Sequence, residues 1–171
     1  MPQMRVFQQP DKKAMKYYPV NLNIKNRPCV VIGGGRVAER KVKNLLRHGA
    51  RVRVISPDVT VRLLEWVSQG KIHYTRSEYR PSHLKGAFLV YAATSDRKVN
   101  ARIAREAARR KLLVNVVDSA TESTFILPAV LRNRGISIAV STNGLSPAKS
   151  VHIRDRIKEF IEKGKLAKTE R

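Results

Sequence analysis

Two groups of residues in this chain have the types and spacing to carry chemistry. The first is Gly33, Gly35 and Ala38, inside the stretch VVIGGGRVAERK at positions 30–41. A run of β-formers from Cys29 to Ile32 ends at Gly33, and a helical pattern begins directly after the third glycine. The three residues fall at the first, third and sixth places of G-x-G-x-x-G/A, the dinucleotide fingerprint. Gly33 permits a tight turn off the strand, Gly35 has no side chain to block a pyrophosphate, and Ala38 lets the helix pack closely. The free N–H groups and positive dipole end of that helix would then face phosphate. A glycine turn without ligand is the alternative, and the strand before and helix after it favour the nucleotide. The second group is Asp118, a carboxylate standing directly after an apolar strand. Such a group serves as general base or acid when its surroundings tune it to the working pH. A loop aspartate capping nearby N–H groups fits the spacing equally well.

These residues need elements to position them. Ala38, Val42, Leu45, Leu46 and Gly49 recur at helical spacing as one apolar stripe. Residues 51–56 read as a second strand ended by Pro57. Asp58 is the expected N-cap of a helix through Trp66 and Val67 that stops at Gly70. Residues 71–74 form a weaker strand, and 17–22 a short edge segment. Residues 87–93 and 112–117 are continuous apolar runs, as in strands covered on both faces; Val99, Ile103, Ala104 and Ala107 stripe the helix between them. Strands alternating with helices predict a parallel sheet with right-handed crossovers. Ligands of such a sheet bind off the carboxyl ends of its strands. Gly33 to Val37, Ser56 to Asp58, Ala93 to Asp96, and Asp118 stand at those ends. Ser56 holds roughly the place of an acidic ribose reader, and Asp58, two residues on, tips the choice toward NAD over NADP.

Past Asp118 the rhythm changes. Residues 125–131 and 136–140 read as strands joined through Asn133, Arg134 and Gly135, an antiparallel hairpin. Ser146 and Pro147 then lead into a helix with Ile153, Ile157, Phe160 and Ile161 on one face, ended by Gly164. A hairpin and one helix cannot bury their own apolar face, so this region is expected to pack on a partner subunit. The expected organisation is a flexible leader at 1–16, a Rossmann-like α/β domain at 17–124, a dimerisation hairpin and helix at 125–164, and a charged tail at 165–171.

Composition narrows the classes. A formal charge of +22 predicts attraction to nucleic acid, an anionic membrane surface or an acidic small molecule, without choosing among them. The chain has no recognisable nucleic-acid motif and few interleaved aromatics. The single cysteine, Cys29, excludes an internal disulfide framework and reads as a packed thiol in a reducing compartment. No apolar run approaches the ~20 residues of a bilayer span, and no secretion signal opens the chain. A cytoplasmic protein is expected. His48, His73, His83 and His152 show no metal-ligand spacing, so no metal site is expected.

Taken together, YYPVNLNIKNRPCVVIGGGRVAERKVKNLL, GARVRVISPD, GAFLVYAATSDRKVN, LLVNVVD, FILPAV and ISIAVSTNGLSPA, in that order, resemble the precorrin-2 dehydrogenase module of sirohaem synthases. The resemblance runs from Tyr17 to Ala148. It implies NAD-dependent oxidation of precorrin-2, a tetrapyrrole with eight carboxylates, to sirohydrochlorin. NAD would lie along Gly33, Gly34, Gly35, Arg36 and Val37, with Pro57 and Asp58 toward the adenosine ribose and Thr94 nearby. Asp118 matches the family's catalytic carboxylate, which some members also use to insert iron. Family members are homodimers that exchange the hairpin and following helix. Three departures stand out. SATESTF replaces a stretch that usually holds a proline; Thr142 and Asn143 replace a serine and a glycine, the serine being phosphorylated in some relatives; and the family's further helical region and methyltransferase domain do not follow Arg171. The dehydrogenase expectation survives these changes better than the chelatase one. An NAD-sensing module without catalysis is the alternative, and it predicts that changing Asp118 leaves the ligand response intact.

Overall fold

A computed structural model describes residues 17–163. The expected leader, the Gly164 stop and the charged tail lie outside the described residues. The described residues divide into two units, one of Asn21–Leu127 and one that holds residues 128–163 together with 17–20.

In the first unit, β1 (Pro28–Ile32), β2 (Arg51–Ser56), β3 (Ile72–Arg76), β4 (Leu89–Ala92) and β5 (Leu113–Val116) form one sheet in the order β3-β2-β1-β4-β5. Every pairing is parallel. The crossovers carry α1 (Arg36–Arg47), α2 (Val61–Ser68) and α3 (Arg97–Arg109), plus a 3-10 turn at Pro81–Leu84. Successive strand residues point to opposite faces, so β1 and β4 feed two cores. Cys29, Val31, Leu89 and Tyr91 join Ala38, Val42 and Leu45 of α1 with Leu63 and Trp66 of α2. Val30, Ile32, Val90 and Ala92 meet Ile103, Ala104 and Ala107 of α3. The expected doubly wound parallel sheet is the one observed.

Some local expectations are corrected. Thr60, not Asp58, caps α2: Leu63 N–H donates to Thr60 Oγ1 at 3.3 Å. The Thr60 hydroxyl in turn donates to Glu39 Oε2 at 2.8 Å, tying α2 to α1. Residues 17–22 form no strand. The strand expected from 125 begins at Ala129, because the preceding residues are taken up by the edge of β5. There Val116 N–H donates to Ser123 Oγ at 2.9 Å and Val114 N–H to Thr124 Oγ1 at 2.8 Å. Hydroxyl side chains of the SATEST stretch thus supply the acceptors a sixth strand would have offered.

The second unit is an antiparallel hairpin, β6 (Ala129–Asn133) and β7 (Ile136–Val140), followed by α4 (Pro147–Glu162). The two-residue turn places Arg134 at φ 45 and Gly135 at φ 82, the primed geometry that suits strand twist. Ser146 caps α4 by accepting from Lys149 N–H at 3.2 Å, with Pro147 in the first helical position. Ile153, Ile157 and Phe160 line an open groove along α4 with Arg156 and Lys163. Among the described residues no helix is long and apolar enough to cross a membrane.

Lys41 is half-buried on α1, its Nζ 5.1 Å from the centre of the Tyr91 ring. Burial, reinforced by Arg40, lowers its ammonium to about 8 from the ordinary 10.5. Between those two values the unfolded chain still holds a proton that the folded chain has released, so this group adds stability as pH rises through the window. Cys29 acts in reverse: burial pushes its thiol from 9.0 up to about 11, and stability falls across that interval. Lys41→Met isolates the lysine contribution. It is expected to raise the unfolding free energy at neutral pH by about 1–3 kcal/mol. Urea unfolding of variant and wild type at matched pH should show the gain vanishing once pH passes 10.5.

Candidate functional site

The three glycines have different structural reasons. Gly33 leaves β1 at φ +116, and a Cβ there would stand 2.2 Å from the carbonyl oxygen of Ala93. Its N–H donates to Ile55 O at 2.8 Å. A Cβ on Gly34 would lie 2.0 Å from Asp58 O, and Gly34 O accepts from Thr60 N–H at 2.9 Å. The turn therefore passes between the end of β4 and the β2–α2 loop with no space for side chains. Gly35 is unlike both. It sits at φ −81 as the N-cap of α1, makes no side-chain cap, and a Cβ there would meet nothing within 4 Å. Protein packing does not demand glycine at 35. What the position leaves is an open approach to the positive end of α1, where N–H groups of the first turn have no capping side chain.

The remaining sequence-nominated residues surround that approach. Arg36 and Val37 are exposed in the first turn of α1, and Ala38 is fully buried against the sheet. Pro57 and Asp58 are exposed beyond β2. Asp58 lies 3.5 Å from Arg76 of β3, whose Nε donates to Pro57 O at 3.1 Å. Arg76 was not foreseen, since nothing in the sequence places the end of β3 beside the end of β2. The strand order reverses between β1 and β4, and Gly33 abuts Ala93 and Thr94 at that switch point. Thr94 turns its hydroxyl inward, 2.8 Å from Asn100 Oδ1.

Asp118 occupies the tight turn that follows β5. Val117 N–H donates to Ala92 O at 3.0 Å and Ser119 N–H to Val116 O at 3.2 Å, which pins the turn against β4. Its Oδ2 accepts from Asn100 Nδ2 at 2.9 Å, and its Oδ1 lies 3.7 Å from Arg97 Nη1. Arg97, the first residue of α3, also pairs with Glu122. The Asp118 side chain keeps 35% of its surface open to solvent, so it is held without being sealed. The partners of the Asp118 carboxylate are thus side chains and not backbone N–H groups. The start of α3 beside it is capped by Asp96, which accepts from Lys98 N–H at 2.7 Å. Asn100 was missed. Its signal was present: it lies one turn before Ala104 on the buried stripe of α3, where a polar residue requires a partner. Among the described residues no cluster of histidine, cysteine and carboxylate groups suits a metal.

Known proteins resemble this chain over most of its length. A family model described as putative NAD(P)-binding matches residues 20–129, and one described as sirohaem biosynthesis protein central matches 133–159. A siroheme synthase of Methylobacillus flagellatus is 40% identical over 147 residues, covering 86% of this chain and 32% of that protein. One from Nitrosomonas eutropha is 42% identical over 148 residues, covering 86% and 31%. The chain thus spans about a third of the length of these curated relatives. The solved structure of SirC, a precorrin-2 dehydrogenase, superposes with a TM-score of 0.72 at 31% identity, covering 86% of this chain and 70% of that one. The chain belongs to the NAD(P)-binding family formed by precorrin-2 dehydrogenases and the N-terminal modules of sirohaem synthases.

Proposed function

We propose that this protein is an NAD-dependent dehydrogenase that converts precorrin-2 to sirohydrochlorin. The observation that carries the cofactor half is Gly35, a glycine that packing does not require, at the uncapped positive end of α1. Gly33, Gly34, Gly35, Arg36 and Val37 would hold NAD, with Pro57 and Asp58 toward the adenosine ribose and Thr94 nearby. NAD, when bound, accepts the hydride. The chain's part is to orient the tetrapyrrole and take up the proton released with that hydride, and Asp118 is the carboxylate placed for it. One hydride and one proton leave the substrate, which balances the oxidation. Arginines and lysines drawn from a net charge of +22 attract a substrate bearing eight carboxylates.

The same reading makes the protein a cytoplasmic homodimer, with neither nucleic acid nor membrane as partner. Support for the dimer is the apolar face that Ile153, Ile157 and Phe160 present along α4. Anaerobic incubation with precorrin-2 and NAD, followed by mass analysis, tests the activity. A tetrapyrrole lighter by one hydride and one proton is expected; unchanged tetrapyrrole with NAD bound would favour the sensing module instead. Gly35→Val tests the cofactor site separately. Calorimetry should show NAD affinity reduced about tenfold or more, while the thermal midpoint moves little because the new side chain enters open space.

A further inference from the structure

We propose that Asn100 is a positioning residue that couples the loop abutting the glycine turn to the carboxylate of Asp118. This rests on the reading of Asp118 as the group that takes the substrate proton. Asn100 is fully buried on α3, where an amide is tolerated only if its polar atoms are partnered. All of them are. Oδ1 accepts from Thr94 N–H at 3.1 Å and from the Thr94 hydroxyl at 2.8 Å. Nδ2 donates to Thr94 O at 3.1 Å and to Asp118 Oδ2 at 2.9 Å. The amide has one acceptable orientation, because a carboxylate and a carbonyl stand on its nitrogen side and a backbone N–H on its oxygen side.

Three of these four contacts would satisfy a buried amide that merely braces Thr94. The fourth leaves the core for a half-open carboxylate, and it fixes one oxygen of Asp118 while Arg97 stands near the other. Arg97 is itself paired to Glu122, which brings a second carboxylate to this charged cluster. Thr94 N lies 3.0 Å from where a Cβ of Gly33 would sit. A line of contacts therefore runs from the glycine turn through Thr94 and Asn100 to Asp118, and a shift of that loop is transmitted to the carboxylate.

Asn100→Leu removes the donor at similar volume. Its turnover of precorrin-2 should fall about 10- to 100-fold, as expected of a misplaced reacting group, with KM for NAD within about twofold of wild type. Asn100→Asp sets a second carboxylate against Asp118, and the acidic limb of the turnover–pH profile should move up by about one pH unit or more. A residue that only braces Thr94 would leave that limb in place. Should either buried substitution prevent folding, the double variant Asn100→Asp/Asp118→Asn restores an amide–carboxylate pair in reverse. Its thermal midpoint should then recover part of what Asn100→Asp loses, although turnover does not return. Wild-type turnover by Asn100→Leu, an unmoved acidic limb, or additive stability losses in the double variant would each overturn the proposal. Wild-type turnover by Asp118→Asn alone would instead remove the reading of Asp118 as the proton acceptor while keeping the dehydrogenase, and the stability cycle would then decide whether the two residues are coupled.

Discussion

Asp118→Asn is expected to lower turnover of NAD with precorrin-2 by about 10²- to 10⁴-fold, the range associated with losing a general acid or base. The substitution is nearly isosteric, and an amide oxygen can still accept the hydrogen bond from Asn100 Nδ2 that the carboxylate now receives at 2.9 Å. It removes the attraction to Arg97, which lies 3.7 Å away across a half-exposed surface, so little stability is lost with it. NAD affinity should be unchanged, because the glycine turn and the start of α1 do not touch the side chain being altered. Steady-state kinetics beside a binding titration separates the two effects. A loss confined to KM would mean that Asp118 grips substrate rather than moving its proton.

Gly33→Ala should cost about 3–5 kcal/mol of stability, a large share of what a domain of this size possesses. Two penalties act together. The backbone at φ +116 is a conformation that side-chain-bearing residues rarely adopt, and the new methyl would lie 2.2 Å from Ala93 O. Backbone atoms on both sides of that contact directly continue β1 and β4, which Ala93 N–H ties together by donating to Ile32 O at 2.8 Å. Relief would therefore mean parting β1 from β4. Chemical denaturation measures the effect. A stability within about 1 kcal/mol of wild type would show that the turn can relax, contrary to a close-packed junction.

The parallel sheet was legible in the sequence for a physical reason. Parallel strands covered on both faces read as unbroken apolar runs, as at 87–93 and 112–117, and the stripes on the intervening helices share a single period. The glycine turn was legible because backbone geometry restricts the residue type, although spacing alone could not separate the two glycines the fold needs from Gly35. What remained hidden depends on contacts distant in sequence. Thr60 rather than Asp58 caps α2 because the helix begins only at Val61 and Thr60 N–H is tied to Gly34 O, a closeness that belongs to the fold and not to the local pattern. Asn100 looks like an ordinary polar residue until α3 is laid on the sheet and its amide is found between Thr94 and Asp118. Ser123 and Thr124 looked like departures from a family pattern; their hydroxyls close the edge of β5.

The most direct test of the account is the rate at which reduced nicotinamide appears when the whole chain is mixed anaerobically with NAD and freshly made precorrin-2. Growth of the near-ultraviolet absorbance of NADH, in step with loss of precorrin-2 and saturating in both reactants, is the predicted result. NAD that binds tightly yet stays oxidised in the presence of precorrin-2 would contradict it, and would leave a nucleotide-binding module whose Asp118 performs no proton transfer.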